Sequence, residues 1–152
     1  MAVTTTTILR AMATLEGWED SSIATHTYLF LEDVIHQGAL PDGFPVTWDG
    51  MDQASVQADY EMDPEVVEDA DVQDDLWEGL RDIPTLSIAL DPEDLFGAED
   101  GIYIHSLQRG SEWERTASIE LILPDGSTGF QEDVGLRIHG YGWRYHSSSL
   151  KH

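Results

Sequence analysis

The chain has 152 residues, 41% of them hydrophobic, and its 30 acidic residues outnumber 7 basic ones to give a formal net charge of -23. This length can bury a core, but the charge repels phosphate backbones and anionic lipid headgroups, which argues against nucleic-acid and membrane-surface roles. The absence of cysteine excludes disulfides, thiolate zinc sites and cysteine nucleophiles.

The first 31 residues predict two β-strands of a partial β-sandwich. Hydrophobic residues recur from 8 to 15 and again from 28 to 31, and turn-forming residues from 17 to 22 separate the two runs. Two strands alone are only marginally stable. We therefore expect either that their sheet partners come from sequence outside this chain or that the segment is loose.

Residues 32–82 form an acidic connection with one helix. The turn-rich stretch 41–45 predicts an irregular first half, for which we expect fast amide exchange. A helix is predicted over about 64–81, because Asp63 is a typical cap and Pro64 fits the first helical position. Apolar residues then recur at helical spacing, and the opposite face is acidic.

The carboxylates of this connection raise the question of calcium. Residues 69–74 begin like a calcium-binding loop, but the sixth place lacks the glycine that permits the sharp turn. An EF-hand is therefore rejected. We expect calcium binding to be weak and screened by salt.

From residue 83 onward the sequence predicts antiparallel β-structure. The apolar run 83–90 suits a strand, and residues 102–104 predict another. Residues 118–139, turned at 124–127, predict two or three further strands. The expected fold class is α+β and rich in β-structure, with most of the stability in residues 83–139.

A short helical turn is predicted between the first two of these strands. Asp91 is placed to cap it, Pro92 follows at the first helical position, and Gly97 is placed to end it.

Motifs for catalysis are absent from the sequence. The six histidines lack the helical spacing of a zinc protease, and no Gly-x-Ser-x-Gly elbow occurs. We therefore assign neither catalytic residues nor metal ligands. A glycine pair, Gly140 and Gly142, follows the last predicted strand, where backbone amides can approach a phosphate, although the pair alone favours an ordinary turn or bulge.

An ordered series of short blocks spans residues 83–140. The blocks are Asp91-Pro92, Leu95-Phe96, Gly101-Ile102-Tyr103, Trp113-Glu114-Arg115-Thr116-Ala117-Ser118-Ile119-Glu120, Gly129-Phe130-Gln131 and Gly135-Leu136-Arg137-Ile138-His139-Gly140. Together they resemble the opening of a CotH kinase-like domain of large secreted bacterial proteins. Upstream, Ile8-Leu9-Arg10-Ala11-Met12-Ala13 and Thr25-His26-Thr27-Tyr28 resemble the end of a chitobiase C-terminal, fibronectin-like module.

The resemblance implies a domain organisation. Residues 1–31 would be the terminal strands of the fibronectin-like module, 32–82 the acidic connection, and 83–152 the truncated start of the CotH-like domain. Such domains have an atypical protein-kinase fold and transfer phosphate from ATP to protein hydroxyls. Thr116 stands where the family usually has proline, and residues 141–143 replace a stretch richer in glycine and serine.

The chain ends before the positions of the family's catalytic and metal-binding aspartates. The resemblance therefore implies that this segment alone is inactive, while its parent is an ATP-dependent protein kinase that uses a divalent metal. Its partners would be the rest of the parent polypeptide and the parent's protein substrate. Lys151 aligns with a basic position before the next family strand, which makes it a candidate for cofactor binding together with Gly140 and Gly142.

The N-terminus lacks a basic and apolar leader. The implied location is extracellular or at the cell surface, with the secretion signal upstream of this chain. The alternative function is a structural or adhesive segment of a cell-surface protein, whose carboxylates keep it soluble or bind calcium weakly.

Overall fold

The computed structural model describes residues 2–50 and 53–140. Helices and strands mix in this part of the chain, and the strands form small antiparallel sheets, which confirms the α+β class. The elements are β1 (Thr7–Ala11), β2 (Ala24–Tyr28), α1 (Leu31–Ile35), β3 (Thr47–Gly50), β4 (Gln53–Gln57), α2 (Pro64–Val67), α3 (Gln73–Asp82), β5 (Thr85–Ala89), α4 (Pro92–Phe96), a 3-10 turn (Ser111–Trp113), β6 (Arg115–Ile122) and β7 (Thr128–Leu136).

Two compact units make up the fold. The first contains the described residues within 1–37, 62–89 and 118–133. The second contains those within 38–61, 90–117 and 134–152. Among the described helices, none is long and apolar enough to cross a membrane.

The N-terminal strands of the first unit form the predicted pair. β1 and β2 are antiparallel, with Thr7 opposite Tyr28 and Ala11 opposite Ala24. The second strand ends at Tyr28 rather than continuing through the apolar run, because Leu31 begins α1.

A three-stranded sheet has the order β5, β6, β7, and the first unit contains β5 with residues 118–122 of β6 and 128–133 of β7. Thr85 pairs with Ile122 and Ala89 with Ser118 across β5 and β6. The predicted turn between β6 and β7 is present, since the Asp125 carboxylate accepts a hydrogen bond of 2.9 Å from the Ser127 N–H. β7 is one continuous strand that ends at Leu136, so residues 118–139 contain two strands, the smaller of the two numbers predicted.

Buried hydroxyl groups connect β2 to this sheet. Thr25 Oγ1 donates to Ser118 Oγ at 2.9 Å, and both residues are 1% exposed. Ser118 Oγ in turn donates to Asp133 Oδ1 at 2.6 Å. The hydroxyls of Thr27 and Ser87 are 2.7 Å apart. The hairpin is a two-stranded sheet of its own, but these hydrogen bonds hold it against a sheet of the same chain, whereas the sequence led us to expect its partners elsewhere.

The helix predicted over about 64–81 is two helices. Its start is confirmed, because Asp63 Oδ1 accepts from the Glu65 N–H at 2.9 Å. The helix stops after Val67, and Asp69 Oδ1 accepts the Asp71 N–H at 2.8 Å in the turn before α3. An aspartate that bonds the backbone locally offers the chain an alternative to continuing the helix, which explains the break.

The acidic stretch before these helices is more regular than predicted. It contains α1 and the β3–β4 hairpin, although the turn-rich stretch 41–45 itself is irregular, as predicted. Trp48 on β3 donates its indole N–H to the Tyr60 hydroxyl at 2.9 Å, and Ala58 is 2% exposed. A few well-placed aromatic residues thus order a segment whose overall composition is acidic.

Five aromatic rings form the centre of the second unit. Ring centroids lie 5.3 Å apart for Phe44 and Tyr60, 5.3 Å for Trp48 and Tyr60, and 5.4 Å for Phe96 and Tyr103. Edge-to-face and tilted pairs of this kind contribute about 0.5–1.5 kcal/mol each beyond the area they bury.

The strand predicted at residues 102–104 is wrong. Residues 102–107 form turns, in which the Ile102 N–H donates to the Asp94 carbonyl at 3.0 Å and the Tyr103 N–H to the Leu95 carbonyl at 2.9 Å. These amides are bonded to the helical turn α4 instead of a neighbouring strand. The cap and stop predicted for α4 are confirmed, because Asp91 Oδ1 accepts from the Glu93 N–H at 3.0 Å and Gly97 ends the helix.

The Tyr103 hydroxyl gives this unit a predictable response to alkali. Burial, together with repulsion from Tyr60, raises the pKa of Tyr103 above its usual value of about 10. Because the pKa of Tyr103 is higher in the folded chain than in the unfolded chain, its neutral hydroxyl contributes its full stability below the unfolded pKa. This contribution is lost as the pH rises through the folded pKa. We expect Tyr103→Phe to remove phenolate absorbance that appears above about pH 10. The chain unfolded in denaturant is the control, and an unchanged titration of the folded variant would contradict the assignment.

Candidate functional site

The sequence-predicted ligand residues fall in different parts of the chain. Gly140 is described and has φ 147°, a conformation that favours glycine. Gly142 and Lys151 lie outside the described residues. Of the three predicted ligand residues, Gly140 is therefore the one whose surroundings the structure describes.

Gly140 lines a cleft of about 210 Å³ in the second unit. We call this the basic cleft, and its described lining residues are Gln108, Arg109, Gly110, Arg137, Ile138, His139 and Gly140. The sequence pattern pointed to its glycine, but Arg109 and Arg137 were missed, because they lie 28 positions apart in the sequence and meet only in the fold.

Two chain segments position these side chains. Residues 137–140 follow directly after β7 ends at Leu136. Residues 108–110 lie between the turns of 102–107 and the 3-10 turn, and Gly110 has φ 100°. The Gly110 carbonyl accepts from the Trp113 N–H at 3.2 Å, which fixes that end of the cleft to the 3-10 turn.

The charges around the basic cleft are mixed. Arg137 Nη1 lies 3.2 Å from Glu114 Oε1, and both side chains are partly exposed. The Glu112 carboxylate lies beside Gly110, in the space that a Cβ there would enter. The cleft therefore offers cationic hydrogen-bond donors whose charge two neighbouring carboxylates partly offset.

Arg115, close to this region in sequence, has a structural role. Its guanidinium donates to the Asp100 carbonyl at 3.0 and 2.6 Å and to the carbonyls of Glu112 and Glu114 at 3.1 Å each. The side chain is 13% exposed and lies 5.3 Å from the Trp113 ring centroid. With its donors used by carbonyls, Arg115 holds two loops together.

The buried polar groups of the first unit are likewise bonded internally. Glu120 is 4% exposed and accepts the Thr27 N–H at 2.7 Å, while His26 Nδ1 lies 3.7 Å from its other oxygen. Ser118 is buried between Thr25 and Asp133. A serine with 1% exposure is closed to a substrate, so this Ser, Asp and His are not arranged for nucleophilic catalysis.

In the described ranges, no group of three or more His, Asp or Glu side chains is placed to hold a metal ion. His105 contacts the Ala98 carbonyl through Nε2 at 2.8 Å, and its ring centroid lies 5.3 Å from that of Trp113.

Comparisons with known proteins give no neighbour for this chain. It matches no protein-family model, and neither the curated proteins nor the solved structures contain a significant match.

Proposed function

We propose that this chain is a non-catalytic segment of a larger secreted protein of the CotH kinase-like kind. In that protein it supplies the leading β-structure ahead of the catalytic region. Two observations support this role: the blocks within residues 83–140 resemble that family, and several of these residues bond to one another in the structure.

The observation that carries the proposal is the connection among three of the resembling blocks. In block 101–103, the Tyr103 N–H donates to the Leu95 carbonyl of block 95–96 at 2.9 Å, and the Ile102 N–H donates to the carbonyl of the adjacent Asp94 at 3.0 Å. Arg115 of block 113–120 donates to the carbonyl of Asp100, next to Gly101, and lies 3.9 Å from Asp94. Hydrogen bonds thus link residues that are separated in sequence, as is expected if the blocks belong to one structural motif.

The same contacts support a non-catalytic role. The arginine of the Trp-Glu-Arg block is 13% exposed and bonds carbonyls of its own chain. The buried Ser118 and Glu120 bond to the hairpin. Side chains used in this way position the backbone. The further sequence of the proposed parent would supply the catalytic aspartates, and the parent would bind ATP and a divalent metal.

A phosphotransfer assay tests the proposal. The chain, incubated with radiolabelled ATP and magnesium, is expected to label neither itself nor a general protein substrate above a heat-denatured control. The natural reading frame continued beyond His152 is expected to encode a Ser-Phe-Arg-like strand and later paired aspartates, and the longer protein is expected to transfer label.

Two results would overturn the proposal separately. Label transfer by the 152-residue chain would refute the non-catalytic role. A natural stop codon directly after His152 would refute the larger parent and favour the structural or adhesive alternative.

A further inference from the structure

The basic cleft concentrates positive charge in an acidic chain. Arg109 and Arg137 are two of only 7 Lys and Arg residues, and His139 lies with them. None of the seven described lining residues is acidic, although the chain contains 30 Asp and Glu. The net charge of -23 gives the chain a negative potential that repels anions at long range. The described residues that line the cleft differ from this, because they are cationic or uncharged.

The size and backbone of the cleft indicate what it fits. A volume of about 210 Å³ is below the roughly 300–1,000 Å³ of pockets for drug-sized ligands, and suits a small oxyanion. Gly110 and Gly140, with φ of 100° and 147°, carry no side chain in the walls, although the Glu112 carboxylate lies beside Gly110 and leaves Gly140 as the more open backbone position. Guanidinium groups match the geometry of phosphate oxygens and pair with them through two hydrogen bonds.

We propose that the basic cleft binds the phosphate group of a small phosphorylated molecule, with Arg109 and Arg137 as the charged donors. This inference goes beyond the proposed function and does not depend on it, because it needs neither ATP nor phosphate transfer. The Glu114 carboxylate lies 3.2 Å from Nη1 of Arg137 and orients that guanidinium. It also competes with the anion for the Arg137 guanidinium. The affinity is therefore on the order of millimolar.

Titration of the full chain with inorganic phosphate tests the site. Ionic strength is held constant with chloride, and the Gly110 and Gly140 amide signals are followed by NMR. Both signals are expected to shift and saturate. Arg109→Gln and Arg137→Gln are each expected to weaken binding about tenfold, since each removes a charge-assisted pair.

Two further variants separate a site from general charge. Glu114→Gln removes the competitor of Arg137 and is expected to tighten binding severalfold. Arg81→Gln makes the same charge change as the cleft variants, at a side chain that lies 5.1 Å from the Trp77 ring centroid on α3. It is expected to change affinity less than about twofold.

The competing outcomes are distinct. Amide shifts that stay linear with phosphate, or equal weakening by Arg81→Gln and Arg137→Gln, would refute the site. A small sugar phosphate is expected to compete with inorganic phosphate. ATP that binds far more tightly than either would overturn the assignment to small phosphorylated molecules.

Discussion

Gly101→Ala is expected to destabilise the second unit by about 3 kcal/mol, because the new methyl group would enter occupied space. A Cβ at Gly101 would lie 2.5 Å from both the backbone N and O of Gly97 and 2.8 Å from the Phe96 carbonyl carbon. Backbone atoms of this kind move only if the turn moves. That turn positions Tyr103 against Phe96, so the aromatic cluster is expected to lose its packing.

Gly79→Ala is the matched control. Gly79 lies in α3, where a Cβ would have no atom within 4 Å. Alanine is the better helix former, so this variant is expected to gain about 0.5–1 kcal/mol. Chemical denaturation and near-ultraviolet circular dichroism measure both effects. Equal stability of Gly101→Ala and the unmodified chain would contradict the close approach at Gly97.

Glu120→Ala is expected to cost about 2–3 kcal/mol, because it removes a buried carboxylate and leaves the part-buried Thr27 N–H without its acceptor. The Glu120 carboxylate accepts the Thr27 N–H at 2.7 Å and the Thr128 hydroxyl at 3.3 Å, and the residue is 4% exposed. Glu120→Gln keeps one side-chain oxygen, which can accept from the Thr27 N–H, and its NH2 can donate to the Thr128 hydroxyl oxygen, so it is expected to cost about 1 kcal/mol.

Glu132→Ala controls for the chemical change itself. Glu132 is exposed on β7, and its replacement is expected to change stability by less than about 0.5 kcal/mol. Denaturant unfolding of the three variants measures the series. Equal costs at positions 120 and 132 would refute the structural role of the buried carboxylate.

The local signals in the sequence predicted the chain well where short-range chemistry decides the outcome. Asp63 and Asp91 cap helices through their own carboxylates, and the turn at 124–127 is closed by Asp125 and Ser127. Caps and turns use neighbouring residues, so residue type and order carry the information.

Prediction failed where distant contacts decide. Residues 102–104 have the composition of a strand, but their amides bond to α4, a pairing that no periodicity shows. The acidic middle forms a hairpin because Trp48 meets Tyr60. A prediction based on acidic composition alone overlooks such a pairing.

The candidate site divides in the same way. Gly140 was found from a glycine pair, a local signal. Arg109 and Arg137 look like isolated surface charges in the sequence, and only the fold brings them to one cleft. Likewise, the partner of Thr25 is Ser118, 93 residues away, which is why the hairpin looked unpartnered in sequence.

The central structural claim is that the N-terminal hairpin is held by the sheet of the same chain. Residue-resolved hydrogen exchange of the intact chain at neutral pH tests this claim most directly, because exchange reports the free energy of local opening. The Thr27 amide, which donates to Glu120, is expected to be protected to the same degree as the amides of Ser118 to Ile122. Exchange of Thr27 a hundredfold or more faster than that of β6, equivalent to about 3 kcal/mol, would show that the hairpin opens independently and contradict the account.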